Sequence, residues 1–431
     1  MRMIDLKNRD FSQLTEFLNN RRNGGNDVSE IVKNIIQNVK MNGDIAVLEY
    51  TERFDGFRFE SAQAMKVTKE EIKQAYEELD SELVEVIKRA ALNIEDFHKN
   101  QTAESFMIER KPGIKLGTLR KPLKRAGIYV PAGTAPLPSS VLMNAIPAKV
   151  AGVKDIIMTT PAGKTGKISS AILVAADIAG VTQIYKVGGA QAVAALAYGT
   201  DTIPMVDKIT GPGNIFVATA KKLIFGDCSI DMIAGPSEIL IVADKSADPS
   251  FLAADLLSQA EHDKLAASIL ITTEKKLAAE VELELEKQLE LLPRKEIAAE
   301  SLEKFGAIVL TETIEDAIEA ANIVAPEHLE LCIENAEGYI DEIENAGAIF
   351  LGNYTPEPLG DYYAGPNHVL PTTGTARFFS PLNVWDFIKQ TSVISYSKEA
   401  LSDCAEDVIK FAEAEGLNAH ARSISIRKEG V

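Results

Sequence analysis

The sequence predicts an α/β protein with two Rossmann-like domains, each built on a parallel sheet, plus small helical elements at the two ends of the chain. Short apolar runs that end in Pro or Gly, such as AGIYVPAG and KDIIMTTPAG, have the pattern of buried strands meeting loops. Ala-rich or amphipathic runs of helical length lie between them. Strand, helix and strand within about 34 residues make a βαβ unit, and such a unit implies a parallel sheet.

The N-terminal part of the chain is predicted to be helical. Residues 1–25 are expected to form a short tail element that ends in the polar loop NNRRNGGND. Over residues 29–98 apolar positions such as Ile31 and Ile35 repeat at helical spacing. His98, in EDFHKN, is expected on the surface of the last of these helices.

Two α/β domains are expected to follow. The first, residues 126–236, contains the strands AGIYV, DIIMTT and TQIYK and the helical run GGAQAVAALAYG. The second, residues 237–380, contains the strands EILIVAD, ASILITT, GAIVLTE and GAIFLGN, and we expect the helices of residues 26–125 to complete it. Residues 381–431, with a helix over Lys398–Glu415, are expected to form a separate tail domain.

Composition excludes several classes of partner. The net charge of -18 leaves no basic excess for nucleic acid or an anionic membrane. No run of about 20 apolar residues exists that would span a bilayer. The first residues, MRMIDLKNRD, lack the apolar region of a secretory signal, and the three cysteines are far apart. We therefore expect a cytoplasmic protein.

Histidine is rare, with five residues in the chain, and four of them lie in polar segments of the last 170 positions. In SQAEHD, Gln259 and His262 are three residues apart and share a helix face, where an amide oxygen and an imidazole nitrogen would suit a metal ion. A capping or surface role for His262 is the alternative interpretation.

Adjacent acid and base side chains occur in Pro326-Glu327-His328. Such a pair can divide labour, one group activating water while the other carries a proton to or from an alcohol oxygen. The alternative is a helix N-terminus, with Pro at its first position and Glu stabilising the helix dipole.

Two further segments carry polar side chains. In GDYYAGPNHVLP, Gly and Pro frame a rigid loop that presents Asp361 and His368, although a purely structural turn would also explain the glycines. In EGLNAH, Glu415 and His420 flank a glycine at a helix end, which also fits a solvated tail. Together, Gln, His, Asp and His side chains would suit Zn²⁺, or Mn²⁺ or Co²⁺.

A dinucleotide fingerprint is missing, because no G-x-G-x-x-G follows a strand. Gly-rich turns do follow predicted strands at Pro131-Ala132-Gly133, Gly188-Gly189 and Gly211-Pro212-Gly213. Any of these turns could bring backbone amides to a pyrophosphate, and each is equally compatible with a loop that binds nothing.

Long ordered segments resemble the histidinol dehydrogenase family over nearly the whole chain. They are GIYVPAGTAPLPSSVLMNAIPAKVAG, VGGAQAVAALAYGT, DKITGPGN, DMIAGPSE, LLSQAEHD, APEHLEL, GDYYAGPNHVLPT and NAHARSISIR. The resemblance implies that L-histidinol, two NAD⁺ and water give L-histidine and two NADH, through histidinal. Ala132 departs from the family pattern, where a second glycine is expected, in a loop that the resemblance places near the cofactor.

The resemblance also implies the roles of individual residues. Glu327 and His328 are the expected catalytic acid–base pair. One Zn²⁺ per active site is expected on Gln259, His262, Asp361 and His420. The substrate is expected to contact these four ligands together with Ser237, His328, His368 and Glu415. NAD is expected on Tyr129, Gln191 and Asn214. The terminal elements are expected to serve a homodimer in which Glu415 and His420 enter the partner's active site.

Three other functions remain to be separated from this one. A related dehydrogenase would oxidise another polar alcohol, although His368 and Glu415 favour histidinol. A zinc hydrolase would use Glu327 to activate water and would need no NAD. A binding or scaffold protein would not need a Glu–His pair together with four metal-binding side chains.

Overall fold

The computed structural model describes residues 1–6, 8–22, 27–132 and 136–429. Its strands are β1 (Arg2–Asp5), β2 (Phe106–Lys111), β3 (Ile114–Pro122), β4 (Arg125–Tyr129), β5 (Asp155–Thr159), β6 (Gln183–Tyr185), β7 (Lys208–Thr210), β8 (Ser229–Ile230), β9 (Glu238–Ala243), β10 (Ala267–Thr272), β11 (Gly306–Leu310), β12 (His328–Cys332), β13 (Ala348–Leu351) and β14 (Ile388–Tyr396).

Its helices are α1 (Ser12–Arg22), α2 (Ser29–Asn42), α3 (Asp44–Asp55), α4 (Lys69–Glu78), α5 (Ser81–Lys99), α6 (Pro138–Ala151), α7 (Ser170–Ala179), α8 (Gly189–Tyr198), α9 (Ile215–Ile224), α10 (Pro249–Ala260), α11 (Lys275–Leu289), α12 (Lys295–Phe305), α13 (Ile314–Val324), α14 (Glu357–Leu359), α15 (Lys398–Ala414) and α16 (Asn418–Glu429).

Two parallel sheets form the larger of two compact units, which comprises Met1–Gln101 and Lys124–Phe387. The first sheet has six strands in the order β1-β11-β10-β9-β12-β13, and all its pairs are parallel. The second has five strands in the order β6-β5-β4-β7-β8, also all parallel. The predicted α/β class with two parallel-sheet domains is confirmed.

Apolar side chains cover both faces of the six-stranded sheet, as its near-continuous hydrophobic strands require. Along β9, Leu240 and Val242 pack with α1 and α13 on one face. Ile239 and Ile241 pack with α10, α11 and α12 on the other. The strict alternation follows from the two-residue period of a strand.

The helices of the first hundred residues are grouped differently from our expectation. Residues such as Val32 and Val47 of α2 and α3 share a core with the five-stranded sheet and with α8 and α9. Helix α4 contacts α7, and α5 contacts α6; both partner helices connect strands of the same five-stranded sheet. The expected grouping of 26–125 with 237–380 is therefore corrected, because the apolar faces of these helices are buried against the domain of residues 126–236.

The expected N-terminal tail element is also corrected. Strand β1 pairs with β11 and so forms the edge of the six-stranded sheet. Helix α1 buries Leu14 and Phe17 in the core below that sheet. Strand β1 and helix α1 therefore form part of the domain built on the six-stranded sheet.

A second compact unit comprises Thr102–Leu123 and Ile388–Val431. It contains the antiparallel sheet β14-β3-β2 and the helices α15 and α16. The sequence placed residues 102–123 in an α/β domain and began the tail at 381. Pairing between β3 and β14 overrides that division, because these segments are far apart in sequence but adjacent in the sheet.

His98 is buried, whereas the sequence placed it on a helix surface. Its Nδ1 lies 2.8 Å from the carbonyl oxygen of Ile94, and its Nε2 lies 3.4 Å from the amide nitrogen of Asn367. Burial lowers the pKa of His98, so a neutral ring suits this position. None of the helices in the described part of the chain has the length and apolar character needed to span a bilayer.

Candidate functional site

The candidate catalytic pair lies at the amino end of β12, beside the amino end of the neighbouring parallel strand β9. His328 is the first residue of β12, and it pairs with Ile239 of β9. Both Glu327 and His328 are buried. The alternative of a helix N-terminus at this pair is wrong, because the chain leaves α13 through Ala325 in the left-handed conformation and enters a strand.

The main chain of Glu238 holds both members of the pair. Its N–H donates to Oε2 of Glu327 at 2.8 Å, and its carbonyl oxygen lies 2.9 Å from Nδ1 of His328. A carbonyl only accepts, so Nδ1 of His328 carries the hydrogen and Nε2 is the free nitrogen. That Nε2 is buried and has no hydrogen-bond partner in the described structure. The side chain of Glu238 is fixed in turn by Arg21 at 2.6 Å and by the N–H of Thr373 at 2.6 Å.

Two carboxylates approach the free nitrogen of His328 from a helical turn. Oε1 of Glu357 lies 3.9 Å from Nε2, and Oδ1 of Asp361 lies 3.8 Å from it. Nδ1 of His368 lies 3.5 Å from the same Asp361 oxygen. The segment from Gly360 to Ala364 forms a π-helical turn directly after α14, so the expected loop around Asp361 is corrected to a helical turn.

Gln259 lies in the last turn of α10, whereas His262 lies in the turn that follows, because the helix ends at Ala260 and not at His262 as expected. The Gln259 side chain is fully buried, and neither its Oε1 nor its Nε2 has a hydrogen-bond partner in the described structure. A buried polar group without a partner is costly, which indicates that something else binds there. His262 keeps part of its surface open to solvent; surrounding protein atoms lower its pKa, and the nearby Asp361 acts in the opposite direction.

Glu357 is a site residue that the sequence analysis missed. Ligand atoms of His328, Glu357 and Asp361 lie within 4.8 Å of one another, close enough to hold one metal ion. Glu357 also accepts a hydrogen bond from Oγ of Ser258 at 3.2 Å. Its four-residue spacing from Asp361 is the helical signal that could have revealed it, but the Pro and Gly residues around it favour a loop.

The ionisable side chains of this site shift one another's pKa values. Burial raises the pKa of Glu327 to about 7, and the charge of His328 partly offsets this effect. Burial opposes protonation of His328, yet the carboxylates of Glu327, Asp361 and Glu357 outweigh it and raise its pKa to about 10. A cation held by Asp361 would cancel part of this negative charge and return His328 toward the range of a base.

A pocket of about 150 Å³ opens beside these groups. Its lining includes His328, Asp361 and His368 together with the apolar Phe350 and Leu370. Such a pocket, apolar with a few converging polar groups, is typical of a small-molecule site. A larger groove of about 620 Å³ lies elsewhere, beside Arg9 and Arg377, and none of the expected site residues lines it.

The expected cofactor residues lie at the carboxyl edge of the five-stranded sheet. Tyr129 ends β4, Gln191 lies in the first turn of α8, and Asn214 caps α9 by accepting from two backbone N–H groups. Strand β4 is followed in space by β5 on one side and by β7 on the other, so the strand order reverses here. Ligands of open α/β sheets bind at such a switch point.

Glycine is required where two of these strand ends meet. A β-carbon on Gly211, whose φ is +113°, would lie 2.1 Å from the carbonyl oxygen of Tyr129. The buried pair Lys221 and Asp231 fixes the same glycine: Lys221 donates to its carbonyl oxygen at 2.8 Å, and Asp231 accepts from its N–H at 2.8 Å. Neither charged residue was identified from the sequence. Gly133 of the first Gly-rich turn lies outside the described residues.

The remaining expected residues are placed separately. Ser237 is half-buried and directly precedes β9, one residue from Glu238. Glu415 ends α15 and His420 lies in α16, both in the second compact unit, and both side chains are exposed. The larger unit therefore contains Gln259, and it brings His262, Glu327, His328, Asp361 and His368 close to one another.

Comparisons with known proteins agree with the resemblance. The family model described as histidinol dehydrogenase matches residues 18–428. The chain is 57% identical to histidinol dehydrogenase of Clostridium acetobutylicum over 401 residues, covering 93% of this chain and 92% of the relative. It is 55% identical to that of Bacillus subtilis over 408 residues, covering 95% of each chain.

A solved structure gives the same result for the fold. The crystal structure of histidinol dehydrogenase from Elizabethkingia anophelis matches with a TM-score of 0.93 and 40% sequence identity. The match covers 100% of this chain and 98% of the other. This agreement extends over both parallel sheets and over the segments that carry Glu327, His328 and Asp361. The chain belongs to the histidinol dehydrogenase family.

Proposed function

We propose that this chain oxidises L-histidinol to L-histidine through histidinal, using zinc and two NAD⁺. The observation that carries the proposal is the buried Glu327–His328 pair, whose free Nε2 faces Asp361 beside a small pocket. Membership of the family supports the choice of substrate. His368 and Glu415 are the side chains proposed to bind its polar groups, as is Ser237.

The first proposed step is oxidation of the alcohol. His328 takes the hydroxyl proton at Nε2, because Nδ1 already donates to the carbonyl of Glu238. That hydrogen bond fixes the ring, so the free nitrogen points in one direction throughout the reaction. Loss of the proton makes the alcohol a better hydride donor toward NAD⁺.

The second proposed step is oxidation of the aldehyde. Glu327 removes a proton from water, which adds to the aldehyde carbon, and the resulting hydrate gives a second hydride to NAD⁺. The raised pKa of Glu327, about 7, suits a base that works near neutral pH. Enclosure of both groups by protein keeps the reactive aldehyde from leaving.

Donor chemistry fits a zinc site. We propose that Gln259, His262 and Asp361 hold the ion, with His420 supplied by the partner subunit. The unpartnered buried amide of Gln259 is the structural argument for this set. Glu357 is a further carboxylate within reach. When bound, zinc supplies a positive charge that orients the substrate's imidazole and amine.

We further propose that NAD binds at the carboxyl edge of the five-stranded sheet. Tyr129, Gln191 and Asn214 lie beside the turns at Gly188-Gly189 and Gly211-Pro212-Gly213, and Oε1 of Gln191 is buried without a hydrogen-bond partner among the described residues. The amino ends of α8 and α9 face this edge and offer N–H groups to a pyrophosphate.

The deciding experiment is the stoichiometry of the reaction. Purified protein with zinc, histidinol and excess NAD⁺ should form two NADH for each histidinol consumed, with histidine as the product. One NADH per substrate would indicate a simple alcohol dehydrogenase. Turnover without NAD⁺ would indicate a hydrolase, and oxidation only of other polar alcohols would indicate a different substrate.

A further inference from the structure

A carboxylate from outside the five-stranded sheet lies at the proposed NAD site. Asp55 is the last residue of α3, and Gly56, in the left-handed conformation, ends that helix. The Asp55 side chain faces the N–H of Gly188, which is the N-cap of α8. Its Oδ2 is buried and has no hydrogen-bond partner in the described part of the chain. Helix α3 therefore brings an acidic group with an unused acceptor to the Gly188-Gly189 turn.

The same turn brings Asp55 close to Tyr129. The hydroxyl of Tyr129 accepts a hydrogen bond from the N–H of Gly189 at 3.2 Å. Burial raises the pKa of Tyr129 to about 12, and the negative charge of Asp55 adds to this effect. Oε1 of Gln191 also lies at the turn, 2.7 Å from the position of a β-carbon on Gly189, and no described residue offers it a hydrogen bond. Two unused acceptors and a phenol thus surround one Gly-rich turn.

Position along the sheet indicates which part of a dinucleotide reaches Asp55. In Rossmann-type sites an acidic residue at the end of the second strand binds the adenosine ribose. Here the second strand is β5, and the residues that end and follow it, TTPAGKTGK, contain no carboxylate. A β-carbon on Gly188 would lie 2.7 Å from Cβ of Pro161 in that segment, so Asp55 reaches the position from α3.

We propose that Asp55 binds the hydroxyls of the adenosine ribose and makes the enzyme selective for NAD over NADP. This inference rests on the proposed use of NAD. A carboxylate accepts hydrogen bonds from a ribose diol, and it repels the additional phosphate that NADP carries at the 2′ position. The unpartnered Oδ2 supplies the acceptor, and its charge supplies the discrimination.

Basic side chains nearby make the effect of removing Asp55 specific. A β-carbon on Gly56 would lie 3.5 Å from Cγ of Lys164, which is exposed, and Lys167 follows in the same segment. With Asp55 present, its charge opposes these lysines. Without it, the lysines remain beside the ribose position and would attract a 2′-phosphate. We therefore expect the loss of Asp55 to favour NADP as well as to weaken NAD.

The test compares Asp55→Asn with the wild-type enzyme and with Glu52→Gln, an exposed carboxylate of the same helix. Asp55→Asn should lower the NAD-to-NADP ratio of kcat/KM by about 10- to 100-fold, the loss expected for a hydrogen bond to a charged group plus relief of repulsion. Glu52→Gln should leave the ratio unchanged. An unchanged ratio in Asp55→Asn, even with lowered stability, would mean that Asp55 only caps α8 and would overturn the proposal.

A binding measurement on the unmodified protein covers the case in which Asp55→Asn does not fold. Wild-type enzyme should bind ADP-ribose about 10-fold or more tightly than its 2′-deoxy analogue or its 2′-phosphate, measured by calorimetry. Equal affinities would contradict the proposed contact. If wild-type enzyme forms no NADH from histidinol and binds no ADP-ribose, the proposed function fails first. Normal NADH formation with equal affinities overturns only the role of Asp55.

Discussion

The carbonyl oxygen of Glu238 and Nδ1 of His328 are 2.9 Å apart, although the residues are ninety positions apart in sequence. The same residue donates its N–H to Glu327. One peptide position of β9 therefore fixes both catalytic candidates, and it does so with main-chain atoms that every substitution except proline leaves in place. This arrangement leaves a single free imidazole nitrogen, and the predictions about acid–base chemistry depend on it.

Glu327→Gln preserves size and removes the base. Oxidation of histidinal in single turnovers should fall by roughly 10²–10⁴-fold, and oxidation of histidinol should fall less. In the wild type the pKa of Glu327 is raised from 4.5 to about 7, so the ionised base is lost as pH falls below about 7. The aldehyde rate should follow that loss, and the residual rate of Glu327→Gln should not. The exposed Glu337→Gln serves as control, and an unchanged aldehyde rate in Glu327→Gln would exclude the role.

Gln259→Leu separates a metal ligand from a packing residue. The side chain is fully buried and both polar atoms lack hydrogen-bond partners within the described ranges, so an apolar residue of similar size should not destabilise the metal-free protein. Zinc content after dialysis, measured by mass spectrometry, should nevertheless fall. The reason is that zinc affinity should drop by more than the ~10–100-fold loss typical of a residue that only supports a ligand. A variant that retains full zinc would show that Gln259 is not a ligand. Chelator treatment of the wild type should abolish activity, and Zn²⁺ should restore it.

Lys221→Met tests how the buried pair Lys221 and Asp231 fixes the main chain of Gly211. Both Lys221 and Asp231 are almost completely buried, so loss of the lysine leaves an uncompensated charge and should lower the free energy of unfolding by about 3–5 kcal/mol. The KM for NAD should also rise, because Gly211 loses a hydrogen bond to its carbonyl. Urea denaturation measures the first effect, with the exposed Lys222→Met as control. Lys221→Met combined with Asp231→Asn, which removes the charge but keeps an acceptor for the N–H of Gly211, should recover much of the lost stability; if it does not, charge burial is not the cause.

The tail prediction is tested by complementation. Family resemblance implies that His420 serves the partner's active site, and an exchanged terminal element suits a two-fold dimer. His262→Ala and His420→Ala should each be inactive alone. After subunit exchange, a swapped tail gives one intact site per mixed dimer, and activity should return to about a quarter of the wild-type level for random mixing of equal amounts of the two chains, since half the dimers are mixed and half their sites are intact. If exchange is verified by mass spectrometry and no activity returns, each chain supplies its own His420.

The local sequence pattern was enough to predict the helices and strands and to identify most of the candidate site residues. Alternation of apolar strands with Ala-rich helices predicted both parallel sheets, because a period of two or of 3.6 is visible in neighbouring residues. Polar segments in an otherwise His-poor chain singled out Gln259, His262, Glu327, His328, Asp361 and His368, and all six lie in the larger unit. Family resemblance, carried by long ordered motifs, supplied the reaction.

Long-range contacts decided the rest. Helices α2 to α5 pack on the side of the five-stranded sheet, whereas α1 packs on the six-stranded sheet, and nothing in their own amphipathic pattern indicates which of the two apolar sheets each helix is buried against. Glu357 reaches His328 through a helical turn that Pro and Gly disguise in the sequence. Asp55 meets the Gly188 turn, and the backbone of Glu238 fixes His328, across separations of 133 and 90 residues. The sequence determined which side chains are available and which local elements form; the tertiary structure alone decided which carbonyl, carboxylate or helix end each one meets, because hydrogen bonds and packing between distant segments leave no periodic signal along the chain.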